Sequence, residues 1–325
     1  MKNCSTTLAV GAALLGLAAS AHAQSNVTIS GFVDAGVYRN FDKSKNVGTI
    51  QRSYLAFSGN EDLGGGMAAT FRLSHRFDIE SGGIESGGKP FWHDEATVGL
   101  KGSFGSIRLG RALSAVWSQD WAFDPWGNFN RIASPAWHFW HYYAPTDRVS
   151  NGGNAEYGRV NSGVFYDSPS FGGLTVHLSG SPERTAAPGN GRSRAGSLVY
   201  ANGPVTAMLG IERNGSDDRD VFLGGKYGFG ALTVMGAYNE SRQNGTNNEA
   251  KVTSFGATYA MGATTLKASY GQLNLNHGGD DRDFIGLGAD YALSKRTTVY
   301  ASLGHISPDA ASSQTAYGVG IAHAF

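Results

Sequence analysis

The sequence predicts an all-β fold: a transmembrane antiparallel β-barrel of about 16 strands with a long third loop. Three observations carry this expectation. The chain ends on an alternating apolar strand, the same alternation recurs along its length, and short turns alternate with long links. In the last ten residues Tyr317, Val319, Ile321, His323 and Phe325 share one face, and Ala316, Gly318, Gly320, Ala322 and Ala324 share the other. Successive side chains of a strand point to opposite faces, so one face is greasy and the other nearly bare. A free apolar edge strand is a template for aggregation, whereas a strand that closes a barrel leaves no edge.

The amino-terminal residues 1–23 read as a secretory signal peptide, leaving 24–325 as one barrel domain. Lys2 supplies the positive start, Leu8 to Ala19 the apolar run, and Ala21-His22-Ala23 the small-x-small cleavage site. That run is shorter than the roughly 20 residues a spanning helix needs. The single cysteine, Cys4, precedes the apolar run, so the mature chain has no disulfide or thiolate chemistry. With Lys2 removed, 25 basic residues face 26 acidic ones, and nothing points to a nucleic-acid partner.

In the first strand Val27, Ile29, Val33, Ala35 and Val37 oppose Thr28, Ser30, Asp34 and Tyr38. Further along, Leu174, Val176 and Leu178 oppose Thr175, His177 and Ser179, and Phe255, Ala257 and Tyr259 oppose Ser254, Gly256 and Thr258. Leu266, Ala268 and Tyr270 oppose Lys267 and Ser269, and Ile285, Leu287 and Ala289 oppose Asp290. None of these apolar faces carries a charge. A lipid-facing Arg or Lys at the bilayer centre costs roughly 2–4 kcal/mol, so a membrane wall requires that absence. The negative mean hydropathy does not conflict, because only every second residue meets lipid.

Tight turns are expected at 60–65, 103–105, 168–173, 202–204, 229–230, 261–262 and 293–296. Longer polar links are expected at 41–47, 78–92, 112–156, 182–193, 214–219, 242–250, 274–281 and 307–313. Short connections at one end and long ones at the other are the arrangement of an outer-membrane barrel.

With these elements in place, the chain resembles the trimeric general porins of Gram-negative bacteria, in their β-proteobacterial branch. The resemblance rests on the opening Val27 to Gly36, the turn Gly59 to Gly66, Val98-Gly99-Leu100 and Leu109-Gly110-Arg111. It continues through Phe123-Asp124-Pro125, Arg159-Val160-Asn161-Ser162, Tyr166-Asp167-Ser168-Pro169 and the ending Gly320 to Phe325. The resemblance implies a homotrimer in outer-membrane lipid and lipopolysaccharide, passing small hydrophilic solutes. It also implies that the third loop, about 112–156, folds inward and narrows the pore, with wall arginines facing loop carboxylates. Phe325 would be a mark read by the barrel-assembly machinery.

The constriction residues depart from the family pattern. Arg159 matches the wall arginine after the loop, but Tyr54 and Asp94 stand where two others belong. Arg52 lies two residues before Tyr54 on the same face, and Leu73-Ser74-His75-Arg76-Phe77 replaces the usual Leu-Glu-x-Gly-Phe. With Phe71 and Leu73 facing lipid, parity turns Arg72, Ser74 and Arg76 to the lumen. The expected constriction is therefore Arg52, Tyr54, Arg72, Arg76, Asp94 and Arg159 opposite Asp120 and Asp124. Loop-end solvation is the alternative for Arg72 and Arg76, and a loop turn or cap is the alternative for Asp124 beside Pro125.

Five of the six tryptophans, at positions 117, 121, 126, 137 and 140, fall in the third loop. Either they anchor the loop to the inner wall, or Trp117, Trp121 and Trp126 line the constriction and stack on sugars or aromatic acids. A substrate-preferring channel is thus the alternative to a general pore, and a surface adhesin or plugged structural barrel is the alternative of another class. No catalytic, cofactor or metal site is expected. The histidines lack metal-ligand spacing, and no nucleophile elbow is present. The acidic runs at 217–220 and 280–283 are external-loop positions where a cation or lipopolysaccharide bridge is the alternative to a solvated face.

Overall fold

The computed structural model describes residues 26–85, 90–143, 158–182, 192–277 and 279–325. The expected signal peptide and cleavage site lie outside them. The strands are β1 (Asn26–Arg39), β2 (Lys45–Gly48), β3 (Tyr54–Gly64), β4 (Met67–Arg76), β5 (Glu95–Gly102) and β6 (Gly105–Leu113). They continue with β7 (Arg159–Asp167), β8 (Leu174–Gly180), β9 (Arg194–Asn202), β10 (Val205–Arg213), β11 (Arg219–Phe229) and β12 (Leu232–Arg242). The last five are β13 (Glu249–Met261), β14 (Thr264–Leu275), β15 (Arg282–Ala292), β16 (Thr297–Pro308) and β17 (Gln314–Ala324).

All 17 segments belong to one antiparallel sheet, and they make 16 staves because β2 and β3 share a line. The lower half of β1 pairs with β3, from Asn26 with Asn60 to Phe32 with Tyr54. Its upper half pairs with β2, from Gly36 with Gly48 to Arg39 with Lys45. Residues 49–53 leave the ladder between them, and Asp34 supplies the missing acceptor. Its carboxylate takes the Ile50 and Gln51 N–H groups at 2.8 and 2.7 Å. The closing pair is β1 with β17, from Phe32 with Ala324 to Arg39 with Tyr317. Gly31 and Phe325 exchange both backbone hydrogen bonds at the seam, so the sheet has no open edge there.

The strands expected to alternate do so. Val27, Leu109, Ile211, Leu223, Phe255, Leu287 and Val319 are exposed on the outer face. Water would reject so continuous an apolar wall, while lipid accepts it and the barrel satisfies every strand's backbone internally. The seven connections on the amino-terminal side are the short ones. Two of them turn on Gly230 and Gly262, at φ +67° and +60°, where a side chain would be strained.

The apolar core is inside the barrel, between the third loop and the strands it covers. Val116, Phe123, Phe139 and Trp140 from the loop pack with Met208, Phe222, Val252, Leu273 and Phe284 from the wall. Each large apolar side chain buried there contributes about 1.5–3 kcal/mol. That contribution holds the loop inside a space that water would otherwise fill.

Candidate functional site

After Leu113 the chain leaves the wall and folds into the lumen. A 3₁₀ turn (Asp120–Phe123) and a short helix α1 (Pro135–Phe139) are its regular elements. Ser134 caps α1 by accepting the Trp137 N–H at 3.2 Å, and Pro135 occupies the first helical turn, where no N–H is needed.

The loop's course is set by bare positions on the strands. Val116 lies over Gly210 of β10, Phe123 over Gly224 of β11, and Pro125 over Gly256 of β13. Pro135 lies over Gly271 of β14, while the carbonyls of Ala133 and Ile132 press on Gly286 of β15 and Gly304 of β16. Between these seats, wall side chains satisfy the loop's polar groups. Ser179 Oγ accepts from Ala115 N at 2.8 Å, and Ser197 Oγ donates to Ala115 O at 2.7 Å. Asn130 donates to Ser302 Oγ at 2.9 Å, Trp140 Nε1 to Ser254 Oγ at 3.2 Å, and His141 N to Asn239 Oδ1 at 2.7 Å. The described loop thus covers strands β8 to β16 and leaves the remaining wall facing it across an open space.

That space is a cavity of about 700 Å³. One side presents Arg52, Arg76 and Arg159, and the other presents Trp117, Trp121, Phe129, Trp137 and Tyr142. Arg76 is buried against Glu85 at 2.6 Å, and Arg131 from the loop reaches the same carboxylate. Arg159 pairs with Asp94, which also accepts from Ser74 Oγ at 2.6 Å. Burial pushes the Asp94 carboxyl up, but Arg159 and Arg76 outweigh it and hold the group below its ordinary range. The Arg52 guanidinium lies 3.9 Å from the centre of the Phe129 ring and donates to Asn128 O at 3.3 Å.

The expected residues separate accordingly. Arg52, Arg76, Asp94 and Arg159 come together around the cavity. Arg72 does not join them: four residues below Arg76 on β4, it is roughly 13 Å further along the strand. There it pairs with Glu95 at 3.1 Å, in a second lumen network with Arg108, Asp167 and His177. Tyr54 stacks on Phe32 instead of reaching the cavity.

Asp120 lines the same cavity as the arginines but is paired with His141, whereas Asp124 turns away from the cavity into the loop. The Asp124 carboxylate turns inward to accept Trp126 N at 2.9 Å, Asn128 N at 3.0 Å and Ser134 Oγ at 3.0 Å. Burial raises its pKa to about 6 against those bonds. Asp120 accepts from His141 Nε2 at 2.8 Å, and Asp220 takes the other ring nitrogen at 2.7 Å. Burial pulls the His141 pKa down, yet Asp220 and Asp120 prevail and push it up to about 10. A short acidic residue in a compact loop is captured by the loop's own donors, which for Asp124 is the turn role its place beside Pro125 offers.

The tryptophans also divide. Trp126 and Trp140 are each 6% exposed, Trp126 against Gly288 and Trp140 in the core, so both anchor the loop. Trp121 is 49% exposed in the lumen, and Trp117 and Trp137 are partly open to the cavity. Glu85, Phe129, Arg131 and His141 were not among the expected site residues. Their sequence neighbourhoods carry no motif that marks them. Among the described residues no group of three or more His, Cys, Asp or Glu is arranged to hold a metal ion.

Comparison with known proteins agrees with this architecture. A family model described as Gram-negative porin matches residues 6–311. Outer membrane porin protein 32 of Delftia acidovorans is 30% identical over 251 residues, covering 72% of this chain and 69% of that protein. An outer membrane porin of Bordetella pertussis is 26% identical over 278 residues, 71% of this chain and 68% of the relative. Among solved structures, an anion-selective porin from Comamonas acidovorans superposes with a TM-score of 0.81 at 27% identity, covering 93% of this chain and all of that one. The chain therefore belongs to the Gram-negative porin family and forms a channel in the outer membrane.

Proposed function

We propose that this porin passes small hydrophilic solutes by diffusion and favours anions, with Arg52, Arg76 and Arg159 as the charged side of its constriction and Asp94 tempering it. The observation that carries this reading is the orientation of Asp120 and Asp124. Asp120 is neutralised at the cavity edge by His141 and Asp124 is turned into the loop, so the described part of the loop offers the arginines mainly aromatic rings. Charges of one sign in a low-dielectric passage concentrate the opposite ion. The anion-selective porin from Comamonas acidovorans supports the same direction. Trp117 and Trp121 are proposed solute contacts. Trp126 is proposed as an anchor. Arg72 belongs to the lumen below the constriction, and Tyr54 to its wall.

The working form is proposed as a homotrimer in lipid and lipopolysaccharide, exported by cleavage after residue 23, with Phe325 read during assembly. Reversal potentials across a planar bilayer under a potassium chloride gradient test the selectivity. The expected result is chloride preference, lost or inverted in Arg52→Glu and Arg159→Glu. Cation preference in the parent channel would overturn the reading.

A further inference from the structure

Building on the anion-preferring reading, we infer that the constriction holds a binding site for planar aromatic carboxylates such as benzoate. The two sides of the cavity differ in kind. On the loop side, the Trp121 ring is fixed by its Nε1 donating to Ser118 O at 2.6 Å, while about half of its surface stays open to the lumen. Trp137 adds a second partly open ring, with the Arg131 guanidinium 5.6 Å from its centre on one side. Trp117 is held by stacking on His141 at 4.1 Å. Rings fixed from behind and open in front form a rigid shelf for a flat apolar body, which binds with little loss of side-chain freedom.

The opposite side supplies the head-group partner. Arg52 lines the cavity, its guanidinium lies 3.9 Å from the centre of the Phe129 ring, and its Nε has no hydrogen-bond partner. A carboxylate offers this guanidinium both an acceptor and a countercharge, where a sugar hydroxyl offers a neutral acceptor and an ammonium offers none. The cavity, about 700 Å³, falls within the roughly 300–1,000 Å³ range of small-molecule sites. The site therefore asks for one negative head and one aromatic face. An aliphatic carboxylate of equal charge satisfies only the first requirement, and an aromatic cation only the second.

The test uses the intact porin in a planar bilayer at symmetrical salt, with block of the ion current by benzoate, cyclohexanecarboxylate and benzylammonium. Benzoate is expected to block at about one tenth the concentration of cyclohexanecarboxylate, the difference that aromatic stacking supplies. Benzylammonium is expected not to block in that range. Trp121→Ala should bring the two carboxylates together, Trp121→Phe should keep most of the preference, and Arg52→Gln should weaken both carboxylates alike. Equal block by the two carboxylates in the parent channel overturns the inference, as does full discrimination retained in Trp121→Ala. Chloride preference without discrimination rejects the aromatic site alone. A cation-selective reversal potential rejects the charge reading, while the ratio of the two carboxylates still reports on the rings.

Discussion

His141 and Asp120, 21 residues apart in the same loop, meet at 2.8 Å and close that loop on itself beneath the Trp117 ring. Asp220 of β11, held in turn by Asn239, binds the other imidazole nitrogen and fastens the closure to the wall. The imidazole also stacks on the neutral ring of Phe222. His141 has its pKa raised from 6.5 to about 10, so its contribution is complete below the unfolded value and is lost as pH rises through about 10. Single-channel recordings should show a quiet pore at pH 7 that becomes noisier near pH 10. His141→Gln should be noisy throughout and lose this pH dependence.

Asp124 titrates with the same sign in a lower pH window. Its pKa rises from 3.8 to about 6 on burial, so the folded loop binds the proton more tightly than the unfolded chain. Stability from this group is fully present below the unfolded value and declines as pH rises through about 6. The thermal midpoint of the barrel, followed by circular dichroism, should carry a component that falls between pH 4 and pH 7. Asp124→Asn should remove that component while keeping a carbonyl for Trp126 N and Asn128 N.

The glycine seats offer a test of what holds the loop. A Cβ at Gly304 would stand 1.8 Å from Ile132 O, and one at Gly286 would stand 2.0 Å from Ala133 O. Backbone cannot yield as a side chain can, so Gly286→Ala and Gly304→Ala should each displace the loop at about 1–3 kcal/mol. The measurable consequence is a shift in single-channel conductance. Gly225→Ala, with nothing within 4 Å, should leave conductance and thermal midpoint unchanged.

Glu85 joins Arg76 of the wall to Arg131 of the loop and is itself almost wholly buried. Glu85→Gln removes the shared carboxylate from two guanidinium groups. Breaking a buried pair in this way costs about 3–5 kcal/mol, and the thermal midpoint should fall accordingly. The same change removes a negative charge beside the constriction, so the reversal potential should move further toward chloride.

The barrel was legible in the sequence because lipid imposes a period-two rule on every strand and the closing strand obeys it to Phe325. Short and long connections were legible for a similar reason: the tight turns carry the glycines that their geometry demands. The constriction was only half legible. Arg76 follows from strand parity, while Arg52, Asp94 and Arg159 follow from the positions that the family resemblance marks. Asp124 accepts from amides two and four residues on, a local turn its neighbourhood permits, whereas the pairing of Asp120 depends on His141, which only the folded loop brings to it. Trp126 and Trp121 are five residues apart and look alike in sequence, yet one anchors and one is open. Their difference comes from Gly288, a bare position on a strand more than 150 residues away.

The row of glycines beneath the loop separates two inheritances. Where the loop runs is written in the strands, as a track of missing side chains from Gly210 to Gly304. What the passage offers a solute is written in the loop itself, in rings such as Trp121 that touch no strand glycine. Selection can therefore revise the chemistry of the gate, one exposed aromatic at a time, without redrawing its aperture.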